Sequence, residues 1–189
     1  MTKHNRNNRY YFILLSPKQS AHIMQHPTEG FILAETLDSA RQLTNYYLHK
    51  SNGLEVGRRF EVNGFTTNSI HWVIAHLAWA QDLLLLQGIG NTGNNLPWFA
   101  AVSIGQPYPN PADLPPYEEA VETLNAIHQQ CLDLIKPLGF EDLNAPNHLG
   151  FKFGNNNSMR AIIHHCIRHE GTHAGHLGWL LRMHGGKAV

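Results

Sequence analysis

Apolar residues recur along four stretches of this chain at the three-and-four spacing of a buried helix face, and the glycine- and proline-rich segments fall between those stretches. The first runs from about Thr28 to Lys50, with Phe31, Leu33, Ala34, Leu37, Ala40, Leu43, Tyr47 and Leu48 as its apolar positions, and ends before Ser51-Asn52-Gly53. The second runs from about Asn68 to Gln87, with Thr66, Thr67 or Asn68 as its cap and Gly88 and Gly90 as its stop. The third follows Pro115-Pro116, where a fixed φ and a missing N–H suit a first turn, carries Glu118 and Glu119 at its positive end, and finishes near Lys136-Pro137. The fourth begins near Ser158, after Asn155-Asn156-Asn157, and continues to Met183 before Gly185-Gly186. Strand-like runs, Tyr10 to Leu15 and Phe60 to Val62, are too few to build a sheet. The pattern predicts an all-α four-helix bundle over residues 28–189, preceded by an N-terminal arm of residues 1–27. Two long connections, Gly88 to Leu114 and Gly139 to Asn157, stand out, and loops of that length in a small domain tend to carry function.

With 189 residues the chain suits one domain with a sizeable core. Fourteen Lys and Arg balance fourteen Asp and Glu, which argues against a nucleic-acid surface or a polybasic membrane anchor. Cys131 and Cys166 are too few for a disulfide framework, and both read as core packing in a reducing compartment. The polar, basic start and the short apolar run after it do not form a secretory core, and no apolar stretch approaches the roughly 20 residues of a membrane span. The expectation is a soluble, cytoplasmic protein. What departs from the ordinary is fourteen histidines, which raises metal chemistry as a hypothesis.

On the fourth helix, at about 100° per residue, Ile162, His165, Cys166, His169, His173, His176 and Leu180 share one face. Axial rise decides which of them can share an ion. His165 and His173 are separated by about 12 Å, whereas residues four apart rise about 6 Å and can converge. Four pairs remain open: His165 with His169, His169 with His173, Cys166 with His169, and His173 with His176. Two ligands from one helix do not complete a site. The best further donor is His76, which sits in the stripe of Trp72, Val73, Ala80 and Leu83, with His71 on the opposite side of that helix.

His169-Glu170-Gly171-Thr172-His173 also matches the HExxH pattern of zinc proteases. No acidic residue follows Glu170 to serve as a third ligand, and His176 and Trp179 occupy the places of the glycine and histidine in the extended pattern. Glu170 points about 100° away from His169, so it reads as a surface or inter-helix partner and not as a base. Arg58-Arg59 reads as a solvated turn, and Trp72, Trp79 and Trp179 as packing residues at helical core spacing.

Two segments together resemble the DinB/YfiT-like superfamily of four-helix-bundle metalloenzymes: Asn68-Ser69-Ile70-His71-Trp72-Val73-Ile74-Ala75-His76-Leu77-Ala78-Trp79, and His169-Glu170-Gly171-Thr172-His173-Ala174-Gly175-His176-Leu177, which is similar to the family's HxxxHxGQ. The resemblance covers roughly Thr28 to Met183 and implies that His76, His169 and His173 hold a divalent metal ion, Zn²⁺ or Ni²⁺. His176 stands where the family usually has glutamine. Three imidazoles leave coordination positions open, and the resemblance implies activation of a small thiol for transfer to a small-molecule substrate, in a homodimer. A metal-dependent hydrolase of a small amide or ester, and a non-catalytic metal-binding stress protein, are the competing readings. The two long loops, with Trp98 and Tyr108 in one and His148 and Lys152 in the other, are the expected substrate walls.

Overall fold

The computed structural model describes residues 27–188. The expected arm of residues 1–27 and the strand-like run at Tyr10 to Leu15 therefore lie, but for residue 27, outside the described residues. Among the described residues the fold is all-α apart from one two-stranded ribbon. Four long helices dominate: α1 (Glu29–Lys50), α2 (Ile70–Gln81), α3 (Tyr117–Ile135) and α5 (Met159–Met183), with the short α4 (Phe140–Asn144) between the last two.

Local chemistry accounts for the helix starts. Thr28 Oγ1 accepts from Phe31 N, Ser69 Oγ from Trp72 N and Ser158 Oγ from Ala161 N, each satisfying one otherwise orphaned donor. The α2 cap is thus Ser69, one residue past the expected Thr66 to Asn68, because its hydroxyl stands in register with the first helical N–H groups. Beyond Gln81 the helix widens into a π-helical turn, Asp82–Gln87, which carries the helical path to Gly88. The strands, β1 (Glu61–Val62) and β2 (Phe65–Thr66), are joined by Asn63 and Gly64 at φ of 50° and 82°, the left-handed pair that a two-residue hairpin requires.

Packing closes the four long helices into a ring in which α1 lies against α5 and α3, and α2 against α3 and α5. Leu37, Ile74, Leu77, Leu124, Ile135, Ile162 and Ile163 are fully buried between them. Where the start of α1 meets the end of α3, Gly30 N donates to Leu138 O at 3.0 Å, and a Cβ on Gly30 would come within 2.2 Å of Ile135 O, so only glycine permits this approach. Among the described residues no helix is long and apolar enough to cross a membrane.

The two long connections are not free loops. The first contains 3-10 turns at Pro97–Val102 and Pro111–Asp113, and its start is tied down by buried Asp82, which accepts from Asn94 N, Asn94 Nδ2 and Gln87 Nε2, each at 2.8 Å. The second is braced from inside by Asn147, 4% exposed, whose amide donates to Phe151 O and Asn157 O and accepts from Phe151 N. His148 N donates to Gly88 O, joining the second loop to the end of the π-turn.

Candidate metal centre

The apolar stripe of α2 drives His76 into the interior, where it is 5% exposed. Its ring stacks on Trp72, one turn earlier, at a centroid distance of 4.6 Å and an interplanar angle of 10°, and packs against Trp79 at 5.2 Å. Nδ1 lies 2.7 Å from Val102 O. A carbonyl oxygen only accepts, so Nδ1 carries the proton and Nε2 presents its lone pair to the interior. That arrangement of backbone carbonyl and ring N–H fixes both tautomer and ring plane in metal-bound histidines.

Across the interior, α5 delivers His169 and His173 from successive turns. His169 Nε2 stands 3.2 Å from His76 Nε2, and the His76 and His173 ring centroids are 4.8 Å apart. One ligand atom from each of His76, His169 and His173 lies within 4.8 Å of the others, a group able to hold a metal ion. Two imidazole nitrogens on one tetrahedral Zn²⁺ are about 3.3 Å apart, which the His76–His169 spacing matches.

Electrostatics favour the neutral ring in all three. Burial first, and then the neighbouring imidazoles, push His169 down to about 4 and His173 down to about 2; burial also lowers His76. At neutral pH all three rings are therefore uncharged, the state in which imidazole ligates a cation.

Of the pairs left open by helix geometry, His169 with His173 joins His76 in the cluster, and His173 and His176 also lie close together. His165 stacks instead on Phe153, at 4.3 Å, and its Nδ1 accepts from Arg168 Nη2 at 2.7 Å. Cys166 is buried on the core side, and burial drives its thiol well above the ordinary range, so it is a packing residue. His176 is exposed, with its Nδ1 3.3 Å from His173 Nδ1. Trp179, expected to pack, does so only at its edge: it lines clefts shared with core residues but is 67% exposed.

Glu170 is an inter-helix partner. Only 1% exposed, it takes a two-pronged bond from Arg41 of α1, with Nε to Oε1 at 2.7 Å and Nη2 to Oε2 at 3.0 Å, and further bonds from Thr44 Oγ1 at 2.6 Å and Gln81 Nε2 at 3.3 Å. Burial alone would raise its carboxyl, but Arg41 and Thr44 outweigh that and hold it below the usual carboxylate range. The network continues through Gln81 to His128 Nδ1 at 3.4 Å and from His128 Nε2 to Asp38 at 3.0 Å, linking α1, α2, α3 and α5 beside the three histidines. Glu170 is thereby occupied and not available as the general base that an HExxH reading requires.

Beside the imidazoles a cavity of about 190 Å³ opens, lined by His76, Trp79, Ala80, Leu83, Leu84, Ile104, Phe151, Phe153, His165 and His169. Both long connections wall it, as expected, but through other residues. Trp98 and Tyr108 line separate cavities, and His148 and Lys152 are absent from this one. Val102, Ile104, Phe151 and Phe153 gave no sequence signal beyond their place in the long loops, whereas Arg41 had one: with Leu37, Thr44 and Leu48 it keeps the spacing of the buried stripe of α1.

No curated protein matches the chain. The family model described as the DinB superfamily matches residues 33–177, a span that starts in the second turn of α1, includes all three clustered histidines and reaches past His176. Fold, histidine cluster and family match thus converge, and the chain belongs to the DinB superfamily.

Proposed function

We propose that this protein is a metal-dependent thiol transferase, built on the four-helix bundle of its superfamily, in which His76, His169 and His173 hold one divalent ion, Zn²⁺ or Ni²⁺. The observation that carries the reading is a three-imidazole cluster opening onto an apolar cavity whose described lining contains no carboxylate. Once bound, the ion would supply the positive charge that lets a small thiol lose its proton near neutral pH.

The protein's own residues do the rest. Val102 O holds the His76 ring so that Nε2 faces the shared position, and Trp72 and Trp79 keep it in that plane. His169 and His173, neutral at physiological pH, would complete a site with no negative charge from the three imidazoles, which would leave a bound ion's charge available to an incoming thiol. Phe151, Phe153, Leu83 and Leu84 exclude water from the adjoining space, where the second substrate would lie. In the transfer the thiol sulfur forms a bond to carbon, the bond from that carbon to its leaving group breaks with the electron pair on the leaving group, and the thiol proton departs to solvent. Hydrolysis is less well served, because Glu170 is bound to Arg41 and the cavity offers no other carboxylate to take a proton from water.

Metal content by mass spectrometry on untagged protein, beside the His169→Ala variant, tests the first half: about one ion per chain is expected, lost in the variant. Conjugation of a small thiol to a chromogenic electrophile, with and without metal, tests the second. Metal-free protein that takes up neither Zn²⁺ nor Ni²⁺ stoichiometrically overturns the proposal. So does turnover that needs metal and no thiol, which would favour the hydrolase.

A further inference from the structure

The cavity beside the histidines has a composition that specifies more than its size. Seven of its ten lining residues, Trp79, Ala80, Leu83, Leu84, Ile104, Phe151 and Phe153, have hydrocarbon or indole side chains, and the other three are imidazoles. Two of those imidazoles, His76 and His169, belong to the cluster, and the third, His165, has its face covered by Phe153 and its Nδ1 engaged by Arg168. Among the described residues no charged side chain and no hydroxyl lines it. A ligand group bearing an ionised carboxylate or phosphate would lose its water there without a hydrogen-bonding or ionic partner beyond the imidazoles, a cost of several kcal/mol in general.

Size narrows the class. At about 190 Å³ the cavity is slightly larger than the roughly 150 Å³ apolar cavity known to bind benzene. It is large enough for one six-membered ring with a short substituent. The walls are also built to stay in place. Ala80, Leu83 and Leu84 project from α2 and the π-turn that extends it, the widened turn being a feature that recurs at functional sites. Phe151 is held at both its N–H and its C=O by Asn147. Phe153 pairs by its backbone with Asn156 and by its ring with His165. At the mouth, Ile104 is 83% exposed and Phe151 41% exposed, which leaves apolar surface in water that an occupant would cover.

We propose that this cavity binds an uncharged monocyclic hydrocarbon group, so that the electrophile modified at the histidine centre is a small apolar compound with its reacting carbon directed at His76 and His169. The inference rests on the transferase reading for the chemistry, but the binding it specifies does not require the ion.

The test titrates toluene and, separately, benzoate into the full chain, metal-free and zinc-loaded, following the methyl resonances of Leu83, Leu84 and Ile104 by NMR, with zinc content measured on the same samples. Toluene is expected to shift those methyls in both forms, and benzoate to leave those of the metal-free form unmoved, where no ion offers its carboxylate a partner. Phe151→Asp is expected to weaken toluene binding at least tenfold; Ile104→Glu, at a residue so exposed that folding is not at risk, is expected to weaken it in the same sense. The inference is overturned if toluene moves none of the three methyls, if benzoate binds the metal-free form as well as toluene does, or if both variants bind toluene as the wild type does. Zinc taken up without toluene binding removes the inference and leaves the metal centre standing. Toluene binding in protein that takes up neither Zn²⁺ nor Ni²⁺ supports the pocket and removes the transferase reading.

Discussion

Arg41→Met isolates what the buried network contributes. Arg41 and Glu170 are each 1% exposed, and their two-pronged contact joins α1 to α5 one residue from His169. Methionine fills most of the volume and removes the charge, so Glu170 is left with only Thr44 and Gln81 as donors. Breaking a buried pair from one side costs about 3–5 kcal/mol, because the surviving charge keeps its desolvation penalty. For a domain of this size, about 2–4 °C in Tm per kcal/mol, the loss corresponds to a drop of about 6–20 °C. Adding Glu170→Gln to Arg41→Met removes the stranded charge while leaving an amide oxygen for Thr44, and should recover about 1–3 kcal/mol of the loss. Chemical denaturation followed by circular dichroism on metal-free protein reads both quantities. If Arg41→Met lies within about 1 kcal/mol of wild type, or if the second substitution adds to the damage, the network is not the interior tie described above.

Acid should weaken the metal-free protein before its carboxylates titrate. Every histidine with a displaced titration is displaced downward, His71 and His128 by burial first of all. The unfolded chain takes up protons near pH 6.5, where these folded groups do not, so stability is complete above that value and is lost as pH falls below it. His169, at about 4 when folded, alone accounts for about 2 kcal/mol between pH 7 and pH 5. A Tm unchanged from pH 7.5 to 5.5 would refute this. Asn147→Ala removes the three hydrogen bonds bracing the second loop and should cost about 1–3 kcal/mol, with amide exchange speeding up at Phe151 and Phe153 and not in α2; uniform acceleration would mean that the brace is global.

The four long helices and the three clustered histidines were legible in the chain because both follow from helical periodicity. The stripe around His76 had to face inward, and axial rise limited which histidines of α5 could converge. The resemblance to the DinB/YfiT-like superfamily then chose His169 with His173 among the open pairs, as the structure does. Arg41 was missed because a charged residue at a core position makes sense only with its partner, and Glu170 stands 129 residues away in sequence. The Val102 carbonyl carries no side-chain signature at all. Trp179 shows the converse limit: periodicity put it on a packing face, and it does border core residues, yet the indole stays 67% exposed because it stands at the edge of that face. The short hairpin at Asn63-Gly64 was written in its turn residues, yet two-residue strands are too brief for periodicity to register.

The bond from His76 Nδ1–H to Val102 O ties the histidine cluster to the loop that also carries Ile104, two residues further along. An ion that fixes the His76 ring therefore also restrains one wall of the cavity, and a ligand that presses Ile104 inward steadies the carbonyl that orients His76. By thermodynamic linkage the two effects must be equal. Whatever factor the ion adds to the affinity for the apolar ligand, the ligand adds to the affinity for the ion, so a filled cavity would tighten metal binding and an empty one would weaken it.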